Sequence, residues 1–113
     1  MNRLDEISKK REETHKKLLS LKSKVYEQFL EMEKAAFSDG ELSKKYKELI
    51  AVGISLVIDC ESCMQWHIEQ AVKAGASKRE VLEAIEVGME MGGGPATVSA
   101  RFALDVMDSI FRD

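Results

Sequence analysis

The chain has 113 residues, enough for one domain, and 44% of them are hydrophobic against 33% charged, a balance that argues for a globular protein rather than a disordered one. The net charge of −3 offers no cationic field, so neither nucleic acid nor an anionic membrane is expected as a partner. Met1 to Lys17 is almost wholly polar and the longest apolar run, Leu49 to Ile58, is too short to span a bilayer, so no secretory signal is predicted and the expected location is cytoplasmic, where paired thiols are reduced by default.

Taken in chain order, the pattern is helical throughout. One proline, Pro95, is present and no run alternates convincingly with period two, so the predicted fold class is all-α, a compact helical unit with a helix-hairpin core. A first helix is expected over 5–37. In it Leu18, Leu21, Val25, Phe29, Met32 and Ala36 recur at steps of three and four, forming one apolar stripe opposite a Lys/Glu face. His15 lies in the Lys/Glu-rich part and is expected to be solvated. Ser38-Asp39-Gly40 closes this helix with turn chemistry.

A second helix is predicted over 43–58. Its first residues, Ser43 to Lys47, read as a solvated charged face. The stretch from Ala51 to Ile58 is apolar on nearly every side and predicts a central, buried helix. Its β-branched residues would suit a strand, but nothing else in the chain could pair with one. Asp59 breaks the run. A third helix then continues to Lys73 or Ala74, with Gly75 suited to its C-terminal cap. Ser77-Lys78-Arg79-Glu80 has capping-box spacing and opens a fourth helix reaching about Met91. Gly92-Gly93-Gly94 lacks the lysine and the strand–loop–helix setting of a phosphate loop, and reads as a tight turn or a close helix crossing. Pro95 fits the first turn of a fifth helix ending near Phe111, in which Ala96, Ser99, Ala100 and Ala103 permit close packing. Met64, Met89 and Met91 read as gap-filling core, and Trp66 as a packing or interface anchor. The chain is thus read as a single domain over 1–113, with 1–38 a long N-terminal amphipathic helix and 39–113 the core.

The chemistry-bearing residues are concentrated in one place. Cys60-Glu61-Ser62-Cys63 holds both cysteines of the chain, and His67, one of its two histidines, follows four residues later. On a helix, positions i, i+3 and i+7 share a face, so two thiols and an imidazole fall on one stripe. Two cysteines three apart near a helix start can close a disulfide, and the helix N-terminus favours a negative sulfur. Upstream lies Glu48. If the second and third helices form an antiparallel hairpin, Glu48 and His67 stand at heights differing by only about 3 Å at 1.5 Å per residue. A carboxylate, an imidazole and a thiol in series is the general pattern of an activated nucleophile. Two plainer readings stand beside it: a pair of small buried side chains, or part of a zinc site that would need a further ligand.

Glu48, Cys60, Cys63 and His67 at these spacings resemble the signature of alkylhydroperoxidase D-like proteins, within the wider carboxymuconolactone decarboxylase-like family. Lys47-Glu48-Leu49-Ile50-Ala51 and Gln70-Ala71-Val72-Lys73-Ala74-Gly75-Ala76 extend the likeness, which covers about 40–95. The resemblance implies Cys60 and Cys63 as a catalytic redox pair and His67 and Glu48 as a proton relay, with no cofactor beyond that dithiol. It implies a thiol-dependent peroxidase or disulfide oxidoreductase. The partners would be an organic hydroperoxide or a protein disulfide, and a lipoyl or thioredoxin-like dithiol donor. It also implies a ring-like homo-oligomer, trimer or hexamer. Cys60 is nearer the helix N-terminus and Cys63 nearer His67; proximity to the relay favours Cys63 as nucleophile. The alternatives are a carboxymuconolactone decarboxylase-type lyase, which needs no dithiol, and a non-enzymatic metal- or redox-responsive oligomer. This chain is shorter than a full alkylhydroperoxidase D and begins with a long charged helix.

Overall fold

The computed structural model describes residues 2–112, and in them six α-helices: α1 Arg3–Ser20, α2 Lys24–Ala36, α3 Lys44–Val57, α4 Glu61–Lys73, α5 Lys78–Gly92 and α6 Gly94–Ile110. No strand occurs among the described residues, so the all-α expectation holds. The chain divides after Ser38 into two compact units.

The first unit corrects the sequence expectation of one helix over 5–37. The helix stops at Ser20 and restarts at Lys24. Lys22 takes φ +55°. Its N–H donates to Leu19 O at 3.0 Å and that of Ser23 to Leu18 O at 3.3 Å, the paired bonds of a Schellman stop. Ser23 then caps α2 by accepting the Tyr26 N–H at 3.1 Å. The apolar stripe runs straight across this break, which is why periodicity did not reveal it. The break also changes the fate of His15, which is half-buried rather than solvated. Eleven residues of unbroken helix would hold His15 and Tyr26 about 16 Å apart. Instead His15 Nδ1 and the Tyr26 hydroxyl are hydrogen-bonded at 2.5 Å, with the rings edge-on at 5.6 Å.

In the second unit α3 packs on α4, α5 and α6. Val52, Leu56, Met64, Ile68, Val81 and Ile85 are fully buried. The capping box of Ser77 and Glu80 starts α5 as predicted, and Pro95 sits in the first turn of α6. Ala96, Ser99, Ala100 and Ala103 are all buried. Gly88 is where α5 crosses α3, because a Cβ there would stand 2.8 Å from Gly53 O. Gly93 turns the chain between α5 and α6 with φ +70°, a conformation that favours glycine.

The expectation of a fully buried α3 needs correction. Ile50, Ile54, Val57 and Ile58 are about half exposed or more. The three other helices of this unit cover only part of a helix that is apolar all round. The uncovered face forms one wall of an apolar groove of about 850 Å³ between α3 and α5. Met91, read from sequence as core, lines this groove and is exposed. The lysines of the 43–47 run are likewise not a purely solvated face. Lys44 pairs with Glu48, and Lys45 bridges to Glu80 on α5 at 2.9 Å.

Candidate functional site

The two cysteines stand at the junction of α3 and α4, and local backbone chemistry puts them there. Asp59 ends α3 with φ +53°. Its N–H donates to Leu56 O at 3.2 Å, and the Cys60 N–H donates to Ser55 O at 3.0 Å. This is again a Schellman stop, with aspartate in the left-handed position that it tolerates better than most residues. Ser99 of α6 holds the Asp59 carboxylate through a 2.7 Å hydrogen bond. Cys60 therefore closes one helix and opens the next, as the residue just after the α3 stop and as the N-cap of α4.

Cys60 Sγ accepts the Cys63 N–H at 3.2 Å, the position in which a serine or aspartate oxygen caps a helix. Cys60 and Cys63 are joined as a disulfide with Cα atoms 5.2 Å apart, inside the range a disulfide permits. Neither cysteine is sealed in the core; both are half-buried.

His67 lies one turn beyond Cys63 on the same helix. Its Nδ1 is 2.7 Å from Glu48 Oε1. The other carboxylate oxygen, Oε2, accepts from Lys44 Nζ at 2.8 Å. Glu48 is 2% exposed, while His67 is 16% and Lys44 42%. A carboxylate this buried requires compensating donors, and here each oxygen has one. With Nδ1–H donating to Glu48, the lone pair of the imidazole resides on Nε2.

Glu48, Cys60, Cys63 and His67 thus gather on the α3–α4 hairpin. None of the four lines the apolar groove. Sequence reasoning missed Lys44, Asp59 and Ser99. Lys44 was visible in principle, since it precedes Glu48 by one helical turn. The Asp59–Ser99 contact joins residues forty apart and left no sequence signal. Outside the site, the Glu80 carboxyl is held below its ordinary value, first by the Ser77 backbone N–H and then by Lys45. Lys45 is raised in turn by its bond to Glu80. Among the described residues, no three metal-ligating side chains are grouped to hold an ion, and no helix is long and apolar enough to cross a membrane.

Residues 23–105 match the profile of the carboxymuconolactone decarboxylase family. The chain is 42% identical over 82 residues to uncharacterized protein 4 in cox locus of Paracoccus denitrificans, covering 73% of this chain and 74% of that one. The apo form of a carboxymuconolactone decarboxylase family protein from Legionella pneumophila superposes with a TM-score of 0.90 at 30% identity, over 96% of this chain and 97% of the other. A family member from Thermotoga maritima, for which an antioxidative role has been suggested, gives a TM-score of 0.84 at 27% identity, over 93% and 89% of the two chains.

Proposed function

The chain belongs to the carboxymuconolactone decarboxylase family, and from that premise we propose that it is a thiol-dependent peroxidase or disulfide reductase working through Cys60 and Cys63. The supporting observation is the Glu48–His67 hydrogen bond at 2.7 Å, one turn from a half-buried cysteine pair close enough to be disulfide-linked. That arrangement joins a redox dithiol to an imidazole oriented by a buried carboxylate.

The reaction starts from the dithiol. His67 Nε2 takes the Cys63 thiol proton, and the thiolate attacks the terminal oxygen of an organic hydroperoxide. The O–O bond breaks. The terminal OH stays on sulfur as a sulfenic acid, and the alkoxide leaves with the proton from His67 as an alcohol. The Cys60 sulfur then attacks the sulfenic sulfur and expels water, forming the disulfide. Two electrons and two protons have passed from the dithiol to the peroxide. An external dithiol, lipoyl or thioredoxin-like, restores the pair by exchange and is itself oxidised. A partner disulfide would be reduced by the same exchange run from the dithiol.

The proposal includes self-association. Val25, Phe29 and Met32 of α2 are 49–82% exposed, and the α3–α5 groove is also open. An apolar stripe and an apolar groove left in water on a chain this small are surfaces for other copies of the chain. Following the family resemblance, we assign a trimeric or hexameric ring.

The test is turnover of tert-butyl hydroperoxide with dihydrolipoamide as donor, comparing wild type with Cys60→Ser and Cys63→Ser. Serine at 60 can keep the N-cap bond, so loss of activity there reports lost sulfur chemistry. Both variants should lose turnover, and Cys60→Ser should retain a peroxide-induced sulfenic acid that dimedone traps. Undiminished turnover in both would end the proposal.

A further inference from the structure

We propose that Asp59 and Ser99 are positioning residues of the redox turn: their hydrogen bond ties α6 to the backbone that presents Cys60, and so biases the cysteine pair towards the disulfide. The functional consequence rests on the thiol-redox reading; the structural content does not.

The direction of the Ser99 hydroxyl is the first argument. Ser99 is 7% exposed and its hydroxyl has one proton to donate. The ordinary acceptor for a serine inside a helix is the carbonyl one turn back. Here that is Pro95 O, which stands at 3.4 Å, whereas Asp59 Oδ1 lies at 2.7 Å. The proton goes to the nearer oxygen, across forty residues of chain. Asp59 is exposed, so solvent alone would satisfy its carboxylate and the contact is not forced by burial. Thr97, on the same helix, makes only the local choice: its hydroxyl donates to Gly94 O at 2.6 Å.

The backbone of Asp59 is the second argument. Its φ of +53° is left-handed, a conformation that glycine adopts freely. Aspartate tolerates it and adds an acceptor within reach of α6. Cys60 follows directly. Its N–H donates to Ser55 O, and its sulfur both caps α4 and forms half of the disulfide. The turn is therefore held from α3 by backbone bonds and from α6 by Ser99. Opening the disulfide releases Cys60 from Cys63, so cutting the tether gives more freedom to the dithiol than to the disulfide. The tether withholds that freedom and thereby favours the closed pair. Such coupling is reciprocal: the tether favours the disulfide by the factor with which the disulfide favours the tether.

The experiment equilibrates the full-length protein with dithiothreitol. The reduced reagent passes two electrons and two protons to the disulfide, giving the Cys60–Cys63 dithiol and the cyclic oxidised reagent. Wild type is compared with Ser99→Ala, Asp59→Asn and Thr97→Ala. In Ser99→Ala the equilibrium constant for disulfide formation should fall at least about threefold, a shift of about 14 mV towards easier reduction. Asp59→Asn keeps an acceptor oxygen and tolerates the left-handed backbone, so it should stay within about twofold of wild type, as should Thr97→Ala. Denaturant unfolding completes the cycle. Ser99→Ala should lower the folding constant of the oxidised protein at least about threefold more than that of a Cys63→Ser background, where Cys60 keeps its capping sulfur but no disulfide can form. An unchanged exchange constant in Ser99→Ala overturns the proposal, as does an equal shift in Thr97→Ala or an equal loss of stability in the two backgrounds. If wild type turns over no peroxide, the thiol-redox reading fails, while the exchange constants and the unfolding cycle still decide the tether.

Discussion

The replacement of Glu48 yields a graded prediction. Glu48→Gln keeps the shape of the side chain but leaves one acceptor oxygen where there were two. Lys44, 42% exposed, can retreat to solvent, so the amide will turn its oxygen to His67 and preserve a neutral hydrogen bond. What is lost is the charge assistance of that bond. Charge-assisted bonds contribute about 1.5–3 kcal/mol and neutral ones about 0.5–1.5 kcal/mol, so the difference is roughly 1–1.5 kcal/mol. If it is expressed in the transition state, where His67 becomes cationic, turnover falls about tenfold. Glu48→Ala removes the acceptor altogether and leaves the Nδ1–H facing a void, a loss of about 1.5–3 kcal/mol and a fall of about ten- to a hundredfold. The assay is single-turnover oxidation of the dithiol by tert-butyl hydroperoxide, followed by free-thiol loss, with circular dichroism to verify folding. The order wild type, Gln, Ala is the expected outcome. Either variant oxidising within about twofold of the wild-type rate, or alanine outperforming glutamine, would refute the reasoning.

Two further predictions concern assembly and acid stability. Ile54→Glu places a charge on the 55% exposed α3 position that walls the groove; light scattering should show a smaller assembly with helicity retained, and a wild-type protein that is already monomeric would remove the basis for the expectation. The folded Glu80 carboxyl lies below its ordinary value, so its contribution is present above the unfolded value and is lost as pH falls through the folded one. Thermal unfolding should therefore show Glu80→Gln less stable than wild type near neutral pH, with the two curves converging in acid below the ordinary glutamate range; a constant or widening gap on acidification would contradict the Lys45–Glu80 assignment.

The amino-acid sequence by itself determined the helical class, the capping box at Ser77, the place of Pro95 in a first turn, and the convergence of Glu48 with His67, because each depends on spacing along a regular helix. Helical rise and period are fixed by backbone geometry, so a register argument carries across one short hairpin. Only the tertiary structure decided the rest. The break at Lys22 lies in a continuous apolar stripe and comes from two local backbone bonds that periodicity does not encode. The exposed face of α3 follows from how many helices surround it, whereas sequence reports only that the helix is apolar. Asp59 and Ser99 meet because α6 folds back on the α3–α4 turn, and the Lys44–Glu48 pair differs from a solvated one because the carboxylate is buried.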